Sequence, residues 1–192
     1  RLINTDMAGQ FMQHIYISVS IGIALAFPYA AWELWRFFSP ALKDKERKYA
    51  RGIVGYASLL FIAGLVFGYY IIAPMAIQWL GAYRLSEDIQ NFITLDSYLD
   101  MVINMSFSSA IVFELPMVVY FLSIAGFITP LLMRKWRKYA IIVILVIAAV
   151  LTPSPDMTSQ ALLSIPFLLL YEVSIFVSAI VYRRRQRKSL SE

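Results

Sequence analysis

Cysteine is absent from the 192-residue sequence, histidine occurs once, and charged residues make up only 15% of the chain. The missing cysteines exclude cysteine–zinc ribbons, iron–sulfur clusters, disulfide scaffolds and thiol catalysis. The single histidine, His14, excludes bis-histidine haem ligation and any metal site built on two histidines. We therefore expect no cofactor and no metal ion.

The scarcity of charge is matched by an excess of apolar residues. The chain is 60% hydrophobic and its mean hydropathy is +0.67. Soluble domains are about half apolar and about a quarter charged. This composition excludes an ordinary soluble domain and a disordered chain, and it indicates a membrane protein.

Long runs without charged residues predict the helices. A helix that crosses a hydrocarbon core of about 30 Å needs about 20 apolar residues. Only Glu114 and Glu172 interrupt the apolar runs, which cover residues 7–32, 52–83, 101–133, 139–155 and 157–182. We predict an all-α integral membrane protein with one transmembrane domain over residues 1–192. Its five predicted spans cover residues 11–33, 53–80, 101–128, 139–152 and 159–182.

The fourth predicted span is unusually short. It is purely apolar as far as Leu151, but Pro153 and Pro155 then prevent the helix from continuing. A helix over residues 139–151 rises only about 20 Å. We therefore expect a thinned bilayer or a water-filled concavity beside this helix.

Positive charge is distributed unevenly between the loops. Fifteen of the 17 lysines and arginines lie in segments 33–51, 129–138 and 183–188, whereas the alternate segments contain only Arg1 and Arg84. The positive-inside rule then predicts a cytoplasmic C-terminus, with the N-terminal segment and the loops near residues 84–98 and 152–157 outside. The basic runs are interpreted as topology signals that contact membrane lipid headgroups, so no nucleic-acid partner is expected.

Glu114 lies near the centre of an apolar run. A charge at that depth costs at least about 2.5–3.5 kcal/mol, so the side chain faces other helices or water, or it is protonated. An intramembrane acid is a functional candidate by default. The alternative is a buried, hydrogen-bonded acid that only fixes helix packing.

A second polar cluster follows the short helix and runs from Thr152 to Gln160. Asp156 or Thr158 could simply cap the last helix. Capping does not explain Gln160, which lies within the apolar span. A groove lined by Glu114 and Gln160 would suit a polar residue on another protein's transmembrane helix.

The first predicted cytoplasmic loop combines aromatic residues with a proline and a carboxylate. Phe37 and Pro40 form part of an interfacial aromatic segment, and Glu46 follows among several cations. A solvated pair with Lys43 or another basic neighbour is the simplest explanation of Glu46.

Five groups of residues, in order along the chain, resemble the TatC family, the multi-span receptor of the twin-arginine protein translocase. The groups are Phe27-Pro28-Tyr29 with Trp32-Glu33-Leu34-Trp35-Arg36-Phe37, Pro40-Ala41-Leu42 and Glu46-Arg47; Phe113-Glu114-Leu115-Pro116; Gly126-Phe127-Ile128-Thr129-Pro130; Arg134-Lys135-Trp136-Arg137-Lys138-Tyr139; and Leu151-Thr152-Pro153-Ser154-Pro155-Asp156 with Ser159-Gln160 and Ile165-Pro166.

The resemblance implies a non-enzymatic receptor in the bacterial inner membrane. Such a receptor recognises twin-arginine signal peptides of folded cargo, self-associates, and assembles with TatA-type and TatB-type single-helix partners for export driven by the proton-motive force. It also implies six helices in a concave, glove-like bundle, so this sequence lacks the family's N-terminal segment and first helix.

The resemblance assigns roles to individual residues. It implies that Glu46 pairs with an arginine of the signal peptide, on a surface shaped by Phe37 and Pro40; a carboxylate can hold a guanidinium in a planar, bidentate pair. It assigns the docking of partner helices to Glu114, Gln160, Thr152 and Asp156.

Two other classes of protein were weighed against this one. A proton-coupled small-solute transporter would use Glu114 as its titrating group, but such proteins usually show repeated halves and broken helices. A membrane-embedded protease would need a serine–histidine pair or two aspartates within helices. His14 is the only histidine, and every aspartate falls outside the spans or at a span end.

Overall fold

The computed structural model describes residues 3–4, 6–38, 50–82, 93–151 and 157–189. Every regular element in these ranges is a helix, as the sequence predicts. The chain divides into two compact units, Arg1–Ala110 and Ile111–Glu192. Each unit is described by itself below.

Eight α-helices and one π-helical turn make up the described ranges. They are α1 (Gly9–Phe38), α2 (Ala50–Phe67), the π-helical turn Gly68–Ile72, α3 (Ala73–Ala82), α4 (Leu95–Phe113), α5 (Leu115–Ala125), α6 (Pro130–Lys135), α7 (Arg137–Leu151) and α8 (Met157–Ser189).

Four helical stretches in the described ranges are long and apolar enough to cross a membrane. They are Gly9–Phe37, Val54–Ala82, Leu95–Ala125 and Leu163–Arg183. Helix α7 is also apolar but has only 15 residues, a rise of about 22 Å. Thr152, the last residue of the predicted span, and the two prolines expected to end the helix lie outside the described residues.

Aromatic packing organises the first unit. Phe61 of α2 is buried, with 4% of its surface exposed. It stacks on Phe27 of α1 with ring centroids 3.7 Å apart, and it meets Phe107 of α4 edge to face at 6.4 Å. Phe61 therefore joins three helices. An aromatic ring can do this because it packs through its faces and through its edge.

The π-helical turn brings α4 against the α2–α3 helix at Gly68. A Cβ atom added to Gly68 would lie 2.5 Å from the Cα of Ser106 and 2.7 Å from the carbonyl oxygen of Met105. The Ser106 hydroxyl donates to the Val102 carbonyl at 2.7 Å, so the buried hydroxyl is hydrogen-bonded within its own helix. Only glycine permits so close an approach of two helix backbones.

The beginning of the chain pairs with the start of α4. The Ile3 amide donates to the Ile93 carbonyl at 3.1 Å, and the Leu95 amide donates to the Ile3 carbonyl at 3.0 Å. Ile3 thereby forms an isolated parallel bridge with Thr94. This bridge satisfies backbone groups that would otherwise need water.

The predicted span 101–128 is not a single helix. It begins earlier, at Leu95, and it is broken by a turn at Glu114 between α4 and α5. Pro116 explains the break, because proline has no amide hydrogen and its ring clashes with the carbonyl one turn earlier. Helix α5 then ends at Gly126, whose φ of 88° is left-handed and favours glycine.

Helix α8 is the centre of the second unit, and α5, α6 and α7 all pack against it. Val119, Met133 and Ile175 form the buried core between α5, α6 and α8. A buried hydrogen bond joins Ser123 of α5 to Ser178 of α8 at 2.9 Å. Small buried residues such as these serines allow helices to approach closely within a membrane.

Candidate functional site

Glu114 occupies the turn between α4 and α5. Its backbone groups are satisfied, since its amide donates to Ile111 and its carbonyl accepts from Met117 and Val118 at 2.9–3.1 Å. Its side chain differs: Oε1 is buried and has no hydrogen-bond partner among the described residues. A buried acceptor of this kind costs free energy until a donor reaches it.

Gln160 lies in the first turns of α8 and contacts α7. Its Nε2 donates to the carbonyl oxygen of Leu145 at 3.0 Å. The side chain therefore bridges two helices of the second unit. The amide oxygen remains as an acceptor, because this hydrogen bond uses only an N–H group.

The structure does not bring Glu114 and Gln160 into contact. Phe113, the neighbour of Glu114, meets Phe167 of α8 edge to face, with centroids 6.4 Å apart. Phe167 lies two helical turns beyond Gln160, about 10 Å along the helix axis. Gln160 is hydrogen-bonded to Leu145 instead, and no hydrogen bond between Glu114 and Gln160 occurs among the described residues.

The predicted recognition surface is only partly described. Phe37 lies in the last turn of α1 with 77% of its surface exposed. Beside it, Arg36 and Glu33 form an ion pair one turn apart, with 3.5 Å between nitrogen and oxygen. Pro40 and Glu46 lie outside the described residues. So do Thr152 and Asp156, which the sequence assigned to partner docking.

Two polar contacts with α8 were not predicted from the sequence. Arg137 of α7 and Glu172 of α8 form an ion pair of 2.7 Å, and Tyr171 donates its hydroxyl to the Met133 carbonyl at 2.9 Å. The sequence indicated that Glu172 needs a partner, because it is an acid within an apolar run. It gave no sign that the partner would be Arg137, since the two residues are 35 positions apart.

Membrane-length helices, a short apolar helix and an intramembrane carboxylate define the class of protein. The chain is an α-helical integral membrane protein. A sequence model of the family described as "Sec-independent protein translocase protein (TatC)" matches residues 1–166.

Relatives and solved structures agree with this match. The chain is 35% identical over 182 residues to a Sec-independent protein translocase protein TatC of Blattabacterium sp. subsp. Periplaneta americana, covering 95% of this chain and 68% of the relative. It is 37% identical over 190 residues to TatCy of Bacillus subtilis, covering 98% and 72%. A crystal structure titled as the twin-arginine translocase receptor TatC superposes with a TM-score of 0.72 at 33% identity, covering 95% of this chain and 79% of that one.

The chain belongs to the TatC family, the receptor subunits of the Sec-independent, twin-arginine protein translocase. The predicted family and the predicted all-α membrane fold are therefore confirmed. The comparisons do not favour the alternative of a proton-coupled solute transporter.

Proposed function

We propose that this chain recognises twin-arginine signal peptides at its first cytoplasmic loop and docks TatA-type and TatB-type single helices within the membrane. Self-association and export driven by the proton-motive force belong to the same proposal. We place the chain in a bacterial cytoplasmic membrane with its C-terminus in the cytoplasm, because 15 of 17 lysines and arginines fall on that side.

The observation that carries the docking half of the proposal is the buried Oε1 of Glu114, which has no hydrogen-bond partner among the described residues. A hydrogen-bond donor on an incoming transmembrane helix would satisfy it. Hydrogen bonds between helices in a membrane contribute about 0.6–1.7 kcal/mol each. The amide oxygen of Gln160, about 10 Å along α8 from Phe167, would offer a second acceptor. Both positions therefore favour a partner helix that carries donors.

The recognition half of the proposal depends on Glu46 and on the family motif around it. An exposed carboxylate distinguishes arginine from lysine, because only a guanidinium can form two parallel hydrogen bonds to it. The exposed ring of Phe37 at the end of α1 supports an aromatic contribution to the proposed recognition surface.

Site-specific crosslinking of a twin-arginine peptide tests the recognition half. The experiment uses the full-length protein in native-like membranes. Glu46→Gln keeps the size and hydrogen-bonding capacity of the side chain but removes its charge, so crosslinking should fall while membrane insertion persists. Asp44→Asn removes the same charge two residues away and should have little effect. Equal crosslinking in both variants would assign arginine recognition to another residue.

A further inference from the structure

The segment that joins α5 to α7 is fixed against α8 by three independent contacts. Met133 of α6 is buried in the core formed with Val119 and Ile175. The Tyr171 hydroxyl donates to the Met133 carbonyl at 2.9 Å, and the ion pair of Arg137 with Glu172 follows four residues later. This segment is therefore a rigid part of the second unit.

Three cations of this rigid segment have no acidic partner. Arg134, Lys135 and Lys138 are exposed, and none of them forms an ion pair with a carboxylate among the residues that the structure describes. Lys138 lies over the ring of Tyr139, with its Nζ 5.1 Å from the centroid. Glu172 neutralises only Arg137, so three positive charges remain within five residues.

These cations lie at an unexpected depth. The ion pair places the start of α7 level with Glu172, whereas the basic tail of α8 begins at Arg183. The eleven residue steps from Glu172 to Arg183 rise about 16 Å along α8. Residues 173–182 carry no charge, and Val173 and Phe176 are exposed apolar side chains. The cations are thus recessed by about 16 Å relative to the polar end of α8.

The surroundings of the cations are apolar and aromatic. Trp136 and Tyr139 are exposed beside them, as is typical of residues at the boundary between membrane and water. Exposed Ile142 and Val146 then continue the apolar surface along α7. A ligand for this surface needs an anionic head at the cations and an apolar tail along α7.

We propose that Arg134, Lys135 and Lys138 bind the phosphate headgroups of anionic phospholipids whose acyl chains lie along α7. Binding draws the headgroups inward, so the bilayer is thinned beside α7 on the side of the basic tail. An anionic phospholipid has the charge that the cations require and the tail that the apolar surface of α7 accepts. The proposal is independent of signal recognition and of partner docking.

A local measurement of headgroup depth tests this site. These 192 residues contain no cysteine, so Ile142→Cys gives a single spin-label position among them, one turn beyond Lys138. The labelled protein is placed in bilayers of phosphatidylcholine with or without phosphatidylglycerol, and lipids with a nickel-chelating headgroup report the distance to the headgroups. We expect strong relaxation of the label only when phosphatidylglycerol is present.

Matched variants separate local binding from total charge. The triple variant Arg134→Gln, Lys135→Gln and Lys138→Gln should lose the relaxation, and its affinity for phosphatidylglycerol should fall about fivefold per cation removed. A variant with Arg183→Gln, Arg184→Gln and Arg185→Gln removes the same charge and should keep the relaxation. The charge-conserving variant Arg134→Lys, Lys135→Arg and Lys138→Arg should also keep it.

Three results would overturn the proposal. The first is unchanged relaxation in the triple glutamine variant. The second is loss of relaxation in the charge-conserving variant, which would assign the effect to packing. The third is relaxation abolished equally by free glycerol phosphate at low concentration, which would make the site a receptor for a soluble anion.

Discussion

Arg137 and Glu172, which stand 35 positions apart in the sequence, meet with 2.7 Å between Nη2 and Oε2. Their side chains are 49% and 48% exposed, so solvent or headgroups screen the pair. The contact nevertheless sets the level at which α7 begins, because it joins the first residue of α7 to the middle of α8. Together with the Tyr171–Met133 hydrogen bond it fixes how α7 sits against α8.

The first prediction concerns this ion pair. Glu172→Gln should lower the free energy of unfolding by about 1 kcal/mol, the upper range for a half-exposed pair. In a chain of this length that corresponds to a fall of about 2–4 °C in the midpoint of thermal unfolding, followed by circular dichroism in detergent. The exchanged pair Arg137→Glu with Glu172→Arg should recover most of the loss. No recovery in the exchanged variant would show that the two charges do not interact.

The second prediction concerns the contact between Gly68 and Ser106. Gly68→Ala places a methyl group 2.5 Å from the Cα of Ser106, so α4 must move. Such overpacking costs about 1–3 kcal/mol of stability. Gly55→Ala is the matched control in α2, because nothing lies within 4 Å of its added Cβ. The control should be neutral or gain up to about 1 kcal/mol from the higher helix propensity of alanine. Equal unfolding midpoints for the two variants would contradict the prediction.

The helices were predictable because their signal is local. Apolar runs act within a few turns, so the membrane-length helices could be foreseen, whereas the break at Glu114 was not predicted for the span over residues 101–128. Two features could not be foreseen from the sequence, because both depend on which helices meet. They are the π-helical turn at Gly68 and the ion pair of Arg137 with Glu172. The position of Gln160 followed from the sequence, but its hydrogen bond to the Leu145 carbonyl did not. Tertiary contacts, which join residues far apart in the chain, carry no local pattern.

The third prediction concerns topology. Since these 192 residues contain no cysteine, single cysteines at Ser86 and Ser189 give two reporters without a competing thiol among them. The positive-inside rule predicts that an impermeant maleimide labels the first from outside intact cells and the second only after permeabilisation. A cysteine at Ile21, an exposed apolar position in the middle of α1, is the control for a membrane-embedded position and should react slowly in both conditions. Labelling of both reporters in sealed cells would contradict the orientation.

The last prediction concerns the role of Glu114. Docking requires a side chain that can hydrogen-bond, whereas proton carriage requires one that can titrate. Glu114→Gln keeps the capacity to hydrogen-bond but cannot titrate. Glu114→Ala can neither hydrogen-bond nor titrate. We expect the Gln variant to retain substantial export and crosslinking to partner helices. The Ala variant should lose crosslinking about threefold to eighteenfold, as one interhelical hydrogen bond is removed.

Ser109 supplies the control for this pair of variants. Its hydroxyl is also buried without a hydrogen-bond partner among the described residues, but it cannot carry a proton at neutral pH. Ser109→Ala should therefore leave partner crosslinking intact if docking is specific to the turn between α4 and α5. Partner crosslinks that persist in both Glu114 variants, while export fails in both, would show that Glu114 acts through its titration. The buried acceptor at the turn would then serve proton movement, and the docking half of the proposed function would be wrong.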